Sequence, residues 1–183
     1  CLRKVDLQPD AELELLADLH AWRWVCQDYS SAIDVLGKLE RRAAGYRHKE
    51  WQCRALDQLG VCLQELERYP EAGKAHRRAL TVARKLDDTK WAENCLNNLG
   101  ELNRRTNRPQ AAIDCFIEGE ALAEGRKDYE SAISIAHNRS LVFADQRAFD
   151  EAGRILRKCR DIARKLIIQR EYVRALHGLA NLS

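Results

Sequence analysis

The chain has no methionine, only three prolines and nine glycines, and no two of its seven cysteines stand in a CxxC arrangement. Residues that break helices or build tight turns are therefore scarce. Alanine, leucine, arginine and glutamate fill their place, so the chain is expected to be mostly helical. No apolar run approaches the length that spans a bilayer, and no signal-peptide pattern opens the sequence, so a protein of the cytoplasm is expected and a membrane partner is not. Charge of one sign is also missing: 31 basic residues face 28 acidic ones, a net charge of +3. That balance argues against wholesale phosphate binding. The cysteines sit among leucines and alanines inside helical patterns, which predicts buried free thiols in a reducing compartment.

Chemical motifs are absent too. There is no GxxxxGK[ST] or GxGxxG loop to cradle a phosphate and no HExxH zinc site. His48, Cys53 and Cys62 are near one another without zinc spacing. The expectation is a protein that is not an enzyme, with no catalytic residue, metal or cofactor. The missing methionine, and an end at Asn181-Leu182-Ser183 inside a helical pattern, lead to the expectation of a piece of a larger protein.

What the sequence does contain is a repeat with a period of 40 residues. Leu16, Leu56, Leu96, Ala136 and Leu176 form one column, and Leu19, Leu59, Leu99, Arg139 and Leu179 a second. His20, Gly60, Gly100, Ser140 and Ala180 form a mostly small one. Two columns are alanine throughout: Ala32, Ala72, Ala112 and Ala152, then Ala43, Ala83, Ala123 and Ala163. Each repeat reads as a helix A, such as 50–67, and a helix B, such as 70–86. Pro70 and Pro109 suit the first turn of helix B. Ser30 and Asp150 are candidate caps at the matching places. Gly60 and Gly100 are expected to let helix A approach helix B closely.

The pattern L-x2-L-G-x2-[L/N], then A-x3-[L/H/F], reads Leu56, Leu59, Gly60, Leu63, Ala72, His76 and again Leu96, Leu99, Gly100, Asn103, Ala112, Phe116. It resembles the tetratricopeptide repeat (TPR), in the longer-period variety of STAND-type bacterial regulators, kinesin light chains and Pins-type adaptors. The family's usual period is 34 residues. The six extra residues predict longer helices and a longer loop from B to the next A. The resemblance implies an all-α fold, an α-α superhelix or solenoid of helix pairs. Residues 1–183 are expected as one array: repeats 11–50, 51–90, 91–130 and 131–170, a partial fifth at 171–183, and the tail of a preceding helix and loop at 1–10, with Pro9 in the loop.

In this family the A helices line a concave groove. The positions that fall there by resemblance include Arg54, Asp57, Asn94, Asn97, Glu101, Arg104, Arg105, His137, Arg174 and His177. Asparagine offers both donor and acceptor to a peptide backbone, and arginine a fork to a carboxylate. The lysines of the family's chaperone-binding clamp are absent, so chaperone tails are not expected. Trp22 and Trp24 are expected to pack as structure. The expected function is a protein–protein interaction module, binding a peptide or protein, as the sensor or scaffold of a larger regulator such as a STAND-type ATPase or transcription regulator. Two alternatives stand beside it. One is a structural spacer, with self-association through cut repeat ends. The other is nucleic-acid or acidic-partner binding by the basic helix 154–165, against which the lack of interleaved aromatics counts.

Overall fold

The computed structural model describes residues 8–167 and 169–182, without the side chains of 169 and 170. The expected tail of a preceding helix, at 1–7, lies outside them. The described residues form α1 (Pro9–Val25), α2 (Tyr29–Gly45), α3 (Lys49–Glu65), α4 (Tyr69–Lys85), α5 (Thr89–Arg105), α6 (Pro109–Gly125), α7 (Tyr129–Asp145), α8 (Phe149–Lys165) and α9 (Gln169–Ala180). The expected all-α class of helix pairs holds.

The first eight helices are 17 residues long and three residues separate each from the next. The extra length of the repeat therefore lies in the helices alone. The longer loop expected from B to A is corrected: both connectors have the same length. Each connector ends its helix in the same way. A residue in the left-handed region recurs every 20 positions: Gln27, Arg47, Glu67, Asp87, Asn107, Lys127, Arg147 and Ile167. Its N–H bonds back to the third-last carbonyl before it, and the next N–H reaches one residue further, as in Asn107 to Arg104 and Arg108 to Asn103. This is the Schellman closure, which satisfies carbonyls a helix end leaves open. None of the eight residues is glycine, and no glycine has a positive φ. The scarcity of glycine thus reflects strained connectors rather than an absence of turns.

The helix starts differ from expectation. Asp28 caps α2 and Asp128 caps α7, each accepting from the backbone N–H three residues on, and Asp88 accepts from the N–H groups of Lys90 and Trp91. Ser30 and Asp150 lie inside their helices instead, because each helix begins one residue after a three-residue connector. Pro70 and Pro109 sit in the first turns of α4 and α6 as expected, and Pro9 opens α1 rather than lying in a loop.

Two compact units divide the chain, residues 1–91 and 92–183. In the first, Leu13 and Ala17 of α1, Leu36 and Leu39 of α2, and Ala55 and Cys62 of α3 share one core, with Trp24 and Trp51 against it. In the second, Phe116 of α6 packs with Ile135 and Val142 of α7, and Cys159 and Ala163 of α8 with Ile133 of α7 and Ala175 of α9. All eight column alanines are fully buried, at 0% exposure. They belong to the close-packed interior of the helix pairs. Gly60 and Gly100 mark the closest approach. A Cβ there would come within 2.4 Å of the His76 ring and 2.5 Å of the Phe116 ring. The glycine thus makes room for the fourth residue after the alanine, not for the alanine itself.

Cys53, Cys62, Cys95 and Cys159 are buried free thiols, as expected, and burial pushes the Cys62 and Cys159 thiols up to about 11. Cys115 is half-buried, and Cys26 is exposed, because it falls on the connector after α1. Trp24 packs edge-on against Tyr29, at 5.1 Å between ring centres. Trp22 instead is 57% exposed, with the Arg23 guanidinium 5.0 Å over its ring.

Candidate functional site

In the second unit α5, α7 and α9 carry polar residues at helical spacing on one face: Asn94, Asn97, Glu101, Arg104 and Arg105; Ser134, His137, Asn138 and Asp145; Arg174 and His177, with Asn181 in the turn just after α9. Three side-chain bonds join one helix to the next. Asn138 Nδ2 donates to Asn97 Oδ1 at 2.9 Å, and Arg104 donates to Asp145 at 2.7 Å. Arg174 donates to the Ser134 hydroxyl, also at 2.7 Å. The sequence separations are 41, 41 and 40 residues, so the contacts follow the repeat.

The electrostatics is self-contained. Arg104 clasps both oxygens of Glu101 at 2.9 Å, and Arg105 adds a third bond at 3.0 Å. Burial pushes the Glu101 carboxyl up, and the two guanidiniums outweigh it and hold the group below its ordinary value. Glu101, against some burial, and then Asp145 hold Arg104 firmly protonated. Arg104 is therefore a brace between helices rather than an open fork. His137 goes the other way: burial, then the nearby Arg174 and His177, lowers its imidazole below the usual range.

The ten expected groove residues divide accordingly. Asn94, Asn97, Glu101, Arg104, Arg105, His137, Arg174 and His177 share this face. Arg54 and Asp57 lie on α3 of the first unit. Arg54 is exposed and stacks over the Trp51 ring at 5.0 Å. Asp57 is only 2% exposed: it lies 3.0 Å from Nδ1 of the fully buried His76. The other ring nitrogen of His76 faces the Gln64 amide at 3.0 Å, and either end of that amide can serve it. His76 stands where the next repeat has Phe116, and Asp57 turns inward to serve it.

Asn138 was not legible as a site residue. Strict columns pair Asn97 with His137; the packed helices shift the contact by one, to Asn138. An asparagine 41 rather than 40 residues on was the available signal. The basic helix α8 exposes Arg154, Arg157, Lys158, Arg164 and Lys165. Arg154 is paired with Glu151 and Arg160 with Asp161. Among the described residues, no group of three or more His, Cys, Asp or Glu is placed to hold a metal ion, and no helix is long and apolar enough to cross a membrane.

A tetratricopeptide repeat model matches residues 51–125, spanning α3 to α6. Residues 51–125 are tetratricopeptide repeats. Among curated proteins none matches the chain. Solved TPR-like structures do. A kinesin light chain of Podosopora anserina with nearly identical TPR-like repeats is 15% identical, covering 96% of this chain and 86% of its own, with a TM-score of 0.79. The STAND protein of Pyrococcus horikoshii, which has a TPR sensor, is 13% identical, covering 96% of this chain and 27% of its own, with a TM-score of 0.81. The Rap conjugation gene regulator of plasmid pLS20, in complex with the Phr* peptide, is 16% identical, covering 96% and 55%, with a TM-score of 0.67. At such identities the likeness to these TPR proteins establishes the fold.

Proposed function

We propose that this chain is a protein–protein interaction module. It holds an extended segment of a partner protein along the polar face of α5, α7 and α9, as the sensor or scaffold part of a larger cytoplasmic regulator. The observation that carries this reading is the Asn97–Asn138 pair. Their mutual bond uses one amide N–H and one carbonyl lone pair, leaving donors on Asn97 and an acceptor on Asn138 for a ligand. A peptide unit needs one of each. Asn94, one turn before Asn97, adds a third amide. Asparagine gains nothing on a bare helix surface, since it is a mediocre helix former. The TPR sensor of the STAND protein and the peptide complex of the Rap regulator support the reading by fold.

The reading takes residues 1–183 as one array, supported by left-handed connectors that keep their 20-residue spacing without a break through Asp87 and Asn107. The exposed cations of α8 support a second reading, an acidic partner or nucleic acid. Such binding would fall steeply with added salt. The deciding experiment is capture from native lysate by the wild-type chain and by Asn94→Ala/Asn97→Ala, with helicity checked by circular dichroism. A protein held by the wild type and lost with the pair is the expected result. A partner retained equally by both rejects the groove.

A further inference from the structure

Arg139 breaks the second leucine column, in which Leu59 and Leu99 precede it. Its guanidinium holds both oxygens of Glu120 on α6, at 2.6 and 3.0 Å. The counterpart of Glu120 two repeats earlier is Glu40, and it bonds differently. Gln52 of α3 and Arg78 of α4 both donate to Glu40, at 3.0 and 2.9 Å, and so tie α2, α3 and α4 together. Around α7 both ties are gone. Ala132 replaces Gln52, and Lys158 replaces Arg78 and has no ion pair among the described residues. Tyr129 and Ile155 stand where α3 and α4 have Lys49 and Ala75. The result is an apolar cleft of about 50 Å³ between α6 and α8, floored by Ala132, Ile133 and Ala136 of α7. Both walls are full 17-residue helices.

We propose that this cleft docks a helix of a partner protein through one leucine, with a basic residue on the α6 side of that anchor and an acidic residue on the α8 side. At about 10–15 Å³ for each water-sized atom, the cleft admits roughly four, the number of carbons in a leucine side chain. The two walls differ in charge. α6 holds no lysine or arginine, Glu120 is spent on Arg139, and Glu124 is exposed with no ion pair among the described residues. On α8, Lys158 lines the cleft, and Lys165 follows it two turns on. Ile117, 51% exposed, precedes Glu120 and Glu124 on one helical stripe and extends the apolar contact. In a docked helix the residues before and after the anchor lie about 100° to either side of it, and so meet the two walls. In a strand they would point away from the cleft. Arg157, about 200° round α8 from Ile155, lies outside this surface. The cleft shares no residue with the polar face of α5, α7 and α9, so the proposal stands independently of the reading above.

The probe is a synthetic alanine-based helix with one leucine, a lysine before it and a glutamate after it, read by methyl NMR on the full chain. The Ile133, Ile155 and Ile162 methyls should shift. The same peptide with alanine for leucine should bind about tenfold more weakly or worse, because it buries less apolar surface. Peptides with lysine on both flanks, or glutamate on both, should also bind more weakly, by a margin that shrinks with added salt. Ala132→Gln/Arg139→Leu/Lys158→Arg rebuilds the closure of α2, α3 and α4 and should abolish the shifts. Its three new side chains already stand together in this fold, as Gln52, Leu59 and Arg78. If it nevertheless fails to fold, the peptide series on the wild type decides alone. Equal affinity for the leucine and alanine peptides, affinity indifferent to the flanking charges, or shifts that persist in the folded triple variant would overturn the proposal. So would the same methyl shifts on raising the protein concentration alone with a doubled mass in sedimentation, which would give the cleft to a second copy.

Discussion

A methyl group added at Gly100 would land 2.5 Å from the Phe116 ring, whereas one added at Gly37 would meet only the end of Arg41, at 3.5 Å. Two glycines in the same kind of helix therefore respond with opposite sign. Gly100→Ala should lower stability by about 1–3 kcal/mol through overpacking. Gly37→Ala should raise it by up to about 1 kcal/mol, since alanine is the better helix former. Urea unfolding of the two variants checks both signs. Gly100 and its partner were half legible: the column of small residues predicted a close approach, but not the ring that makes it. His137 carries a second prediction at this scale. Its folded pKa lies below its unfolded value of about 6.5, so the unfolded chain takes up the proton first as pH falls. The stability contributed by the neutral ring is complete above that value and is lost as pH drops through it. His20, lowered by burial and then by Arg54, acts in the same direction. The melting temperature should fall between pH 7.5 and 5.5, and fall less in His137→Phe.

Helix positions were readable because 3.6-residue periodicity and the alanine columns survive in every repeat. Helix ends were less so. Sequence rules look for glycine or asparagine where a helix closes in the left-handed region, and here glutamate, aspartate, arginine, lysine and even isoleucine hold that position. Helix packing and the double hydrogen-bonded closure override the local preference. Ile167 shows the cost most plainly, as a β-branched residue at φ 58° that is 81% exposed and has little packing to lose. Ile167→Gly should stabilise the chain by about 1 kcal/mol, since the left-handed penalty for an L residue exceeds the entropy glycine adds to the unfolded state. Thermal melts would show the gain, and a loss would mean that the connector is held in some other way. The caps follow the same logic: aspartate at 28, 88 and 128 sits one residue before the helix, a register visible only once the connector length is known.

For the molecule as a whole, the fold followed from one period and a handful of columns, because a solenoid repeats the same local solution. The face that binds was legible as a set of positions, but not as a network. Arg104 looked like a ligand fork and is spent on Glu101 and Asp145, and Asp57 looked exposed and serves His76. Such pairings depend on which side chains meet across helices 40 residues apart, and single columns do not encode that. The central claim is that a partner lies on α5, α7 and α9 rather than on the basic flank of α8. The most direct measurement is photo-crosslinking in native extract, with a benzophenone amino acid at Leu141 on α7 in one preparation and at Arg157 on α8 in another. A partner adduct from position 141 and none from 157 is the predicted result; an adduct from 157 alone would contradict the account.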